Sequence, residues 1–96
     1  MFLKKYVNDL YYEEILENYK EEYLKILEEE NFELIYKLFV DNGFYYVKDI
    51  ILKYLEIFTM EYDEVVEKLE KLKKSLGINC IAIIGNDLRY LDYILK

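Results

Sequence analysis

Gly43 and Gly77 stand 34 residues apart, and the apolar pattern around one returns around the other. Shifting the chain by 34 places Phe32 on Val66, Ile35 on Leu69, Leu38 on Leu72 and Phe44 on Ile78. It also places Val47 on Ile81, Ile50 on Ile84, Tyr54 on Leu88 and Ile57 on Leu91. Spacings of three and four between the apolar positions belong to one face of a helix. A repeat of this length with that periodicity points to related helical units packed side by side.

The remaining punctuation is sparse. The chain has no proline, and its third glycine is Gly85, so helix ends must rest on glycines and capping side chains. Asp9 is placed to cap a first helix over about 9–30, with Tyr12, Ile15, Leu16, Tyr19, Tyr23, Ile26 and Leu27 as its apolar stripe. Asn31 offers the next cap, for a helix that ends at Asn42-Gly43, where glycine enters the left-handed region without steric cost. A third segment covers about 46–58. Thr59 then offers the N-cap of a strongly helical run whose end, Leu76-Gly77-Ile78, reads as a Schellman motif with Ile78 packing back. The last segment carries Ile81, Ile84, Leu88, Leu91 and Leu95, broken near Gly85-Asn86-Asp87.

A competing reading takes Asn42-Gly43 as a hairpin turn within 34–47 and CIAII, 80–84, as a buried strand, which gives an α+β fold. The repeat favours all-α, because its second copy is helical by periodicity and the first should follow. The expectation is therefore one domain, a compact all-α bundle of four to six short helices. An acidic N-terminal helix, 9–30, packs on two related helical units, 31–58 and 65–95. A chain this short buries only about 60–65% of its unfolded surface, so the apolar content must be well used. Twelve tyrosines are too many for the core alone and should line its boundary or serve recognition at the surface.

The run TMEYDEVVEKLEKLKKSLGINCIAII, followed by LRYL, resembles a repeat of the mitochondrial transcription termination factor family. Such a repeat has a helix ending in Leu-Gly, a helix carrying an Ile-Ile pair, and a turn with paired leucines. Here these are Leu76-Gly77, Ile83-Ile84, and Leu88 with Leu91, over about residues 59–93. The proline common before the paired leucines is absent. The resemblance implies helical-repeat packing and carries over no functional residue. It also suggests nucleic-acid binding, which the net charge of −7 opposes, because phosphate contacts supply most non-specific affinity.

Other classes are disfavoured by what the chain lacks. It has no histidine, so the usual near-neutral base and the commonest metal ligand are missing. The single Cys80 forms no intrachain disulfide, has no basic neighbour, and reads as a small buried apolar residue. IIGND has one glycine and no phosphate-binding pattern. Lys68, Lys71, Lys73 and Lys74 interleave with Glu64, Glu67 and Glu70 and read as a salt-bridged helix surface. No enzyme activity, cofactor or metal is expected. No apolar run reaches the roughly 18–20 residues of a membrane span, and the start has no secretory apolar region. A cytoplasmic location without membrane association is expected. The bias to Lys, Glu, Ile and Tyr fits an AT-rich genome, whether cellular, plasmid or phage.

The charge is concentrated. Residues 9–33 hold ten acidic residues and two lysines, a net −8 against −7 for the whole chain, so the rest sums to +1. On one continuous helix Glu13, Glu17 and Glu21 form a ladder at spacing four, with Glu14 beside it. Like charges at that spacing cost roughly 0.2–0.5 kcal/mol per pair. Folding alone gives no reason for such a ladder. Glu13, Glu14, Glu17, Glu21 and Tyr11 are therefore the candidate partner-binding residues. The expected partner is a basic protein surface, as on a nucleic-acid-handling protein, which the acidic helix would inhibit by occlusion or mimicry of phosphates. The alternative is a structural helical-repeat module that forms a homodimer or docks in a larger assembly.

Overall fold

The computed structural model describes residues 2–96. They fold as α-helices and 3-10 turns, with no strand among the described residues. The hairpin at 34–47 and the strand at 80–84 are absent, and the all-α reading holds. The helices are α1 (Asp9–Asn18), α2 (Glu21–Lys25), α3 (Glu29–Asp41), α4 (Val47–Lys53), α5 (Tyr62–Leu76), α6 (Cys80–Asn86) and α7 (Asp92–Leu95). Turns of 3-10 helix cover Phe2–Lys5, Leu55–Thr59 and Leu88–Leu91.

Seven α-helices exceed the expected four to six because the stretch expected as one helix over 9–30 is broken. Tyr19 and Lys20 are extended, with ψ of 137° and 151°, and separate α1 from α2. A second interruption precedes α3. The reason lies in the core. Ile15 and Leu24 are both buried. Nine residues apart on a continuous helix, they would face opposite sides, since each residue turns about 100°. The break lets both reach the same core. It also exposes Ile26, which the continuous stripe would have buried.

Two series of elements recur. A long helix, a short helix and a 3-10 turn occur as α3, α4, 55–59 and again as α5, α6, 88–91, with element starts 33 residues apart. Gly43 and Gly77 end the long helices with φ of 90° and 84°. The tips differ. Phe44 is fully buried, whereas Ile78, its counterpart, is 98% exposed. Gly77 has ψ of −163°, outside the left-handed helical region, so the expected Schellman closure with Ile78 packing back does not form.

The acidic segment belongs to the same architecture. At a shift of 35, Tyr11 falls on Tyr46 and Tyr19 on Tyr54. Each tyrosine donates its hydroxyl to the next unit. Tyr11 reaches Asp49 Oδ1 at 2.6 Å and Tyr19 reaches Glu56 Oε1 at 2.6 Å. Tyr46 reaches the Ile81 carbonyl, and Tyr54 reaches Asp92 Oδ1 at 2.8 Å. Thus the α1 segment is tied to α4 and the 55–59 turn as the α4 segment is tied to α6 and α7. Nine of the twelve tyrosines, these four among them, pack against the edge of the core; Tyr45, Tyr90 and Tyr93 are exposed.

Phenylalanines fill the centre. Phe32 of α3 stacks on Phe58 with centroids 4.7 Å apart, and Phe39 meets Phe44 edge-on at 5.2 Å. The 3-10 turn at Phe2–Lys5, for which the sequence offered no periodic signal, docks Phe2 and the following Tyr6 against Phe32 at 5.3 and 4.8 Å. Caps also shift from their expected places. Asn8, not Asp9, caps α1, accepting from the Tyr11 amide at 2.8 Å. Asn31 lies inside α3 and donates to the Met60 carbonyl at 2.9 Å, tying α3 to the entry of α5. The Thr59 hydroxyl donates to the Glu56 carbonyl rather than capping α5. Asp87 caps the turn at 88–91 through the Arg89 amide.

Candidate partner-binding surface

The burial of Ile15 sets the rotation of α1. Tyr11 and Tyr12 flank it at the core boundary, so the opposite face carries Leu10, Glu13, Glu14 and Glu17 at positions i, i+3, i+4 and i+7. All four are exposed, and Leu10 keeps 72% of its surface in water. None of the three glutamates has an ion-pair partner among the described residues. Farther along, Glu29 pairs with Lys5 at 2.8 Å and Glu33 with Lys37 at 3.5 Å. Glu13, Glu14 and Glu17 therefore leave uncompensated negative charge on the outer face of α1.

The five expected site residues do not all come together. Glu13, Glu14 and Glu17 form one face. Glu21 is the first residue of α2, beyond the extended Tyr19–Lys20 link, and does not continue the ladder. Tyr11 is turned inward. Its hydroxyl is committed to Asp49, and that hydrogen bond, with the carboxylate charge, raises its phenol above the ordinary value. It positions α1 and is not part of the outer face. Leu10 was not among the expected residues. Its signal was present, since it lies off the apolar stripe on the side of the glutamates.

The break creates a second feature. A groove of about 370 Å³ opens between α1 and α2, lined by Tyr12, Leu16, Tyr19, Glu21, Leu24 and Lys25. Its volume falls within the roughly 300–1,000 Å³ range of ligand sites. Tyr19 stacks on Tyr23 with centroids 5.3 Å apart, which holds one wall. Burial, together with the hydrogen bond to Glu56, raises the Tyr19 phenol well above its ordinary value. The ammonium of Lys4 sits 5.1 Å from the centroid of the Tyr12 ring, so a cation is already held at one edge. Glu21, now displaced from the ladder, lines this groove. Leu16, half-exposed, is its open apolar surface.

Elsewhere, Cys80 is buried as a free thiol. Of the interleaved charges on α5, Lys71 pairs with Glu67 at 3.0 Å and Lys73 with Glu70 at 3.7 Å, while Lys73 also contacts the Asn42 side chain. Among the described residues, no three Cys, Asp or Glu side chains gather as metal ligands. Among the described residues, no helix is long and apolar enough to cross a membrane. Comparison with protein-family models, with curated proteins and with solved structures returns no significant match.

Proposed function

We infer that this protein works by binding, without catalysis, to a basic surface on another protein through the outer face of α1. The observation that supports this is the grouping of Glu13, Glu14 and Glu17 around exposed Leu10, with no ion pair to offset them among the described residues. The face has a structural cost and no structural partner. Carboxylates so placed steer a basic partner and select against acidic ones. A nucleic-acid-handling protein is the partner class in which basic surfaces are functional, and occupation of such a surface would inhibit by occlusion. The geometry favours occlusion over mimicry of a regular phosphate row, because Glu21 leaves the ladder and Leu10 stands among the carboxylates.

The test is affinity capture from the native host with wild-type protein and with Glu13→Gln, Glu14→Gln, Glu17→Gln combined. The wild type should retain a basic protein at low salt and release it as salt rises, since exposed charge pairs are screened beyond about 8–10 Å at physiological ionic strength. The triple variant should lose at least tenfold in affinity. Equal capture by both proteins, or capture indifferent to salt, would sink the reading.

A second reading is a helical-repeat module that associates with copies of itself or with a larger assembly. The recurring tyrosine staples and the exposed Tyr45 and Ile78 at the two glycine turns support it, as does the resemblance of 59–93 to a termination-factor repeat. It predicts a concentration-dependent dimer with little salt sensitivity. A strictly monomeric sedimentation profile would count against it.

A further inference from the structure

The groove between α1 and α2 has counterparts elsewhere in the chain that show what fits it. At a shift of 35, Tyr12 and Leu16 fall on Val47 and Ile51; at 34, Leu24 falls on Phe58. In that second unit the equivalent surface is a helix seat. The long helix α3 packs against α4 and the 55–59 turn, Phe32 stacks on Phe58, and Val47 and Ile51 are buried. Phe2 and Tyr6, ahead of α1, pack on Phe32, and Tyr6 also on Tyr36 of α3. Leu16 is 47% exposed where Ile51 is fully buried. The surface around it is acidic. Residues 9–25 carry six carboxylates and two lysines, Lys20 and Lys25, of which Lys25 lines the groove.

From this geometry and charge we propose that the groove receives a basic amphipathic helix of the partner, seated as α3 is seated on α4 and the 55–59 turn. The proposal rests on the acidic-face reading and adds the shape of what is bound. An apolar residue of the partner helix enters against Leu16, Tyr12 and Leu24. Its lysines or arginines, three or four residues to either side, meet Glu21 within the groove and Glu13 and Glu17 of α1. This is recognition of an amphipathic helix by a groove, with anchors at i, i+3, i+4 and i+7.

Three synthetic helical peptides of equal length test it by fluorescence anisotropy. The first has lysines with leucines at those spacings, the second replaces the leucines by serine, and the third replaces the lysines by glutamate. Wild-type protein should bind the first at least tenfold more tightly than either other peptide. Leu16→Ser, with unchanged helical circular dichroism, should abolish the preference for leucine over serine. The triple glutamine variant should weaken the preference for lysine over glutamate, and adding Glu21→Gln should abolish it. Equal binding of the leucine and serine peptides, or a leucine preference that survives Leu16→Ser, overturns the groove and leaves the acidic face standing. Equal binding of the lysine and glutamate peptides overturns the acidic-face reading itself. Binding of none of the three overturns both.

Discussion

At position 85 a glycine sits inside α6, where propensity alone would favour alanine by up to about 1 kcal/mol. The reason for glycine is the neighbouring ring. A Cβ at this position would stand 2.8 Å from Cε1 and 3.2 Å from Cζ of Tyr46. That ring has little freedom to withdraw, because its hydroxyl is anchored on the Ile81 carbonyl one turn earlier in α6 and its edge meets Phe44 at 5.6 Å. Gly85→Ala should therefore lower stability by about 1–3 kcal/mol, the usual range for overpacking, despite its gain in propensity. Denaturant unfolding would show this. A double-mutant cycle with Tyr46→Ala isolates the contact, because alanine at 85 should cost nothing once the ring is gone. Stabilisation by Gly85→Ala in the wild-type background would show that the ring yields freely. From the sequence alone, Gly85 reads as a helix stop. Its actual partner is 39 positions away and leaves no mark in local pattern.

The elements were legible where a periodic stripe met a single neighbour. Val65, Leu69 and Leu72 face the core as their spacing requires, and α3 ends at the glycine that spacing and chemistry both indicate. The acidic segment was harder to read. It holds no glycine or proline, and its break is imposed by the core's demand for both Ile15 and Leu24, a requirement visible only when the units are packed. The surface glutamates 13, 14 and 17 were legible because the outer face of one regular helix follows from its register. The groove was not, since it exists only at the break. The paired glycine turns show the same limit in a measurable form. The repeat makes Phe44 and Ile78 equivalent, yet one is at the centre of the aromatic cluster and the other is in water. Phe44→Ala should cost about 3–5 kcal/mol, as for a fully buried aromatic. Ile78→Ser should stay within about 0.5 kcal/mol, as for an exposed position without partners. A loss at Ile78 comparable to that at Phe44 would mean that the second turn closes in solution and that the Schellman ending forms after all.

At the scale of the whole molecule, the units are held by the aromatic core and by tyrosine hydroxyls that cross from one unit to the next. That arrangement makes the fold sensitive to alkali. Burial pushes the phenols of Tyr46 and Tyr54 up to about 12, the latter helped by its hydrogen bond to Asp92. Tyr19 is raised in the same direction, through burial and then its bond to Glu56. Each phenol keeps its proton in the folded state at a pH where an unfolded tyrosine, with a value near 10, has lost it. Above that value the unfolded chain binds fewer protons than the folded one, so unfolding becomes easier as pH rises. The stability that these groups contribute is complete below about pH 10 and is lost as pH climbs through about 12. Denaturation midpoints should accordingly hold steady below about pH 10 and then fall steeply. Tyrosinate absorbance should show Tyr19, Tyr46 and Tyr54 as a late group, released together with the loss of helical circular dichroism. Tyr19→Phe combined with Tyr54→Phe removes two of the late phenols. It should lower stability at neutral pH, because two hydrogen bonds to carboxylates are lost, and should also flatten the alkaline fall. If Tyr19, Tyr46 and Tyr54 ionised near pH 10 with the helices intact, the staples would not be holding the units in solution.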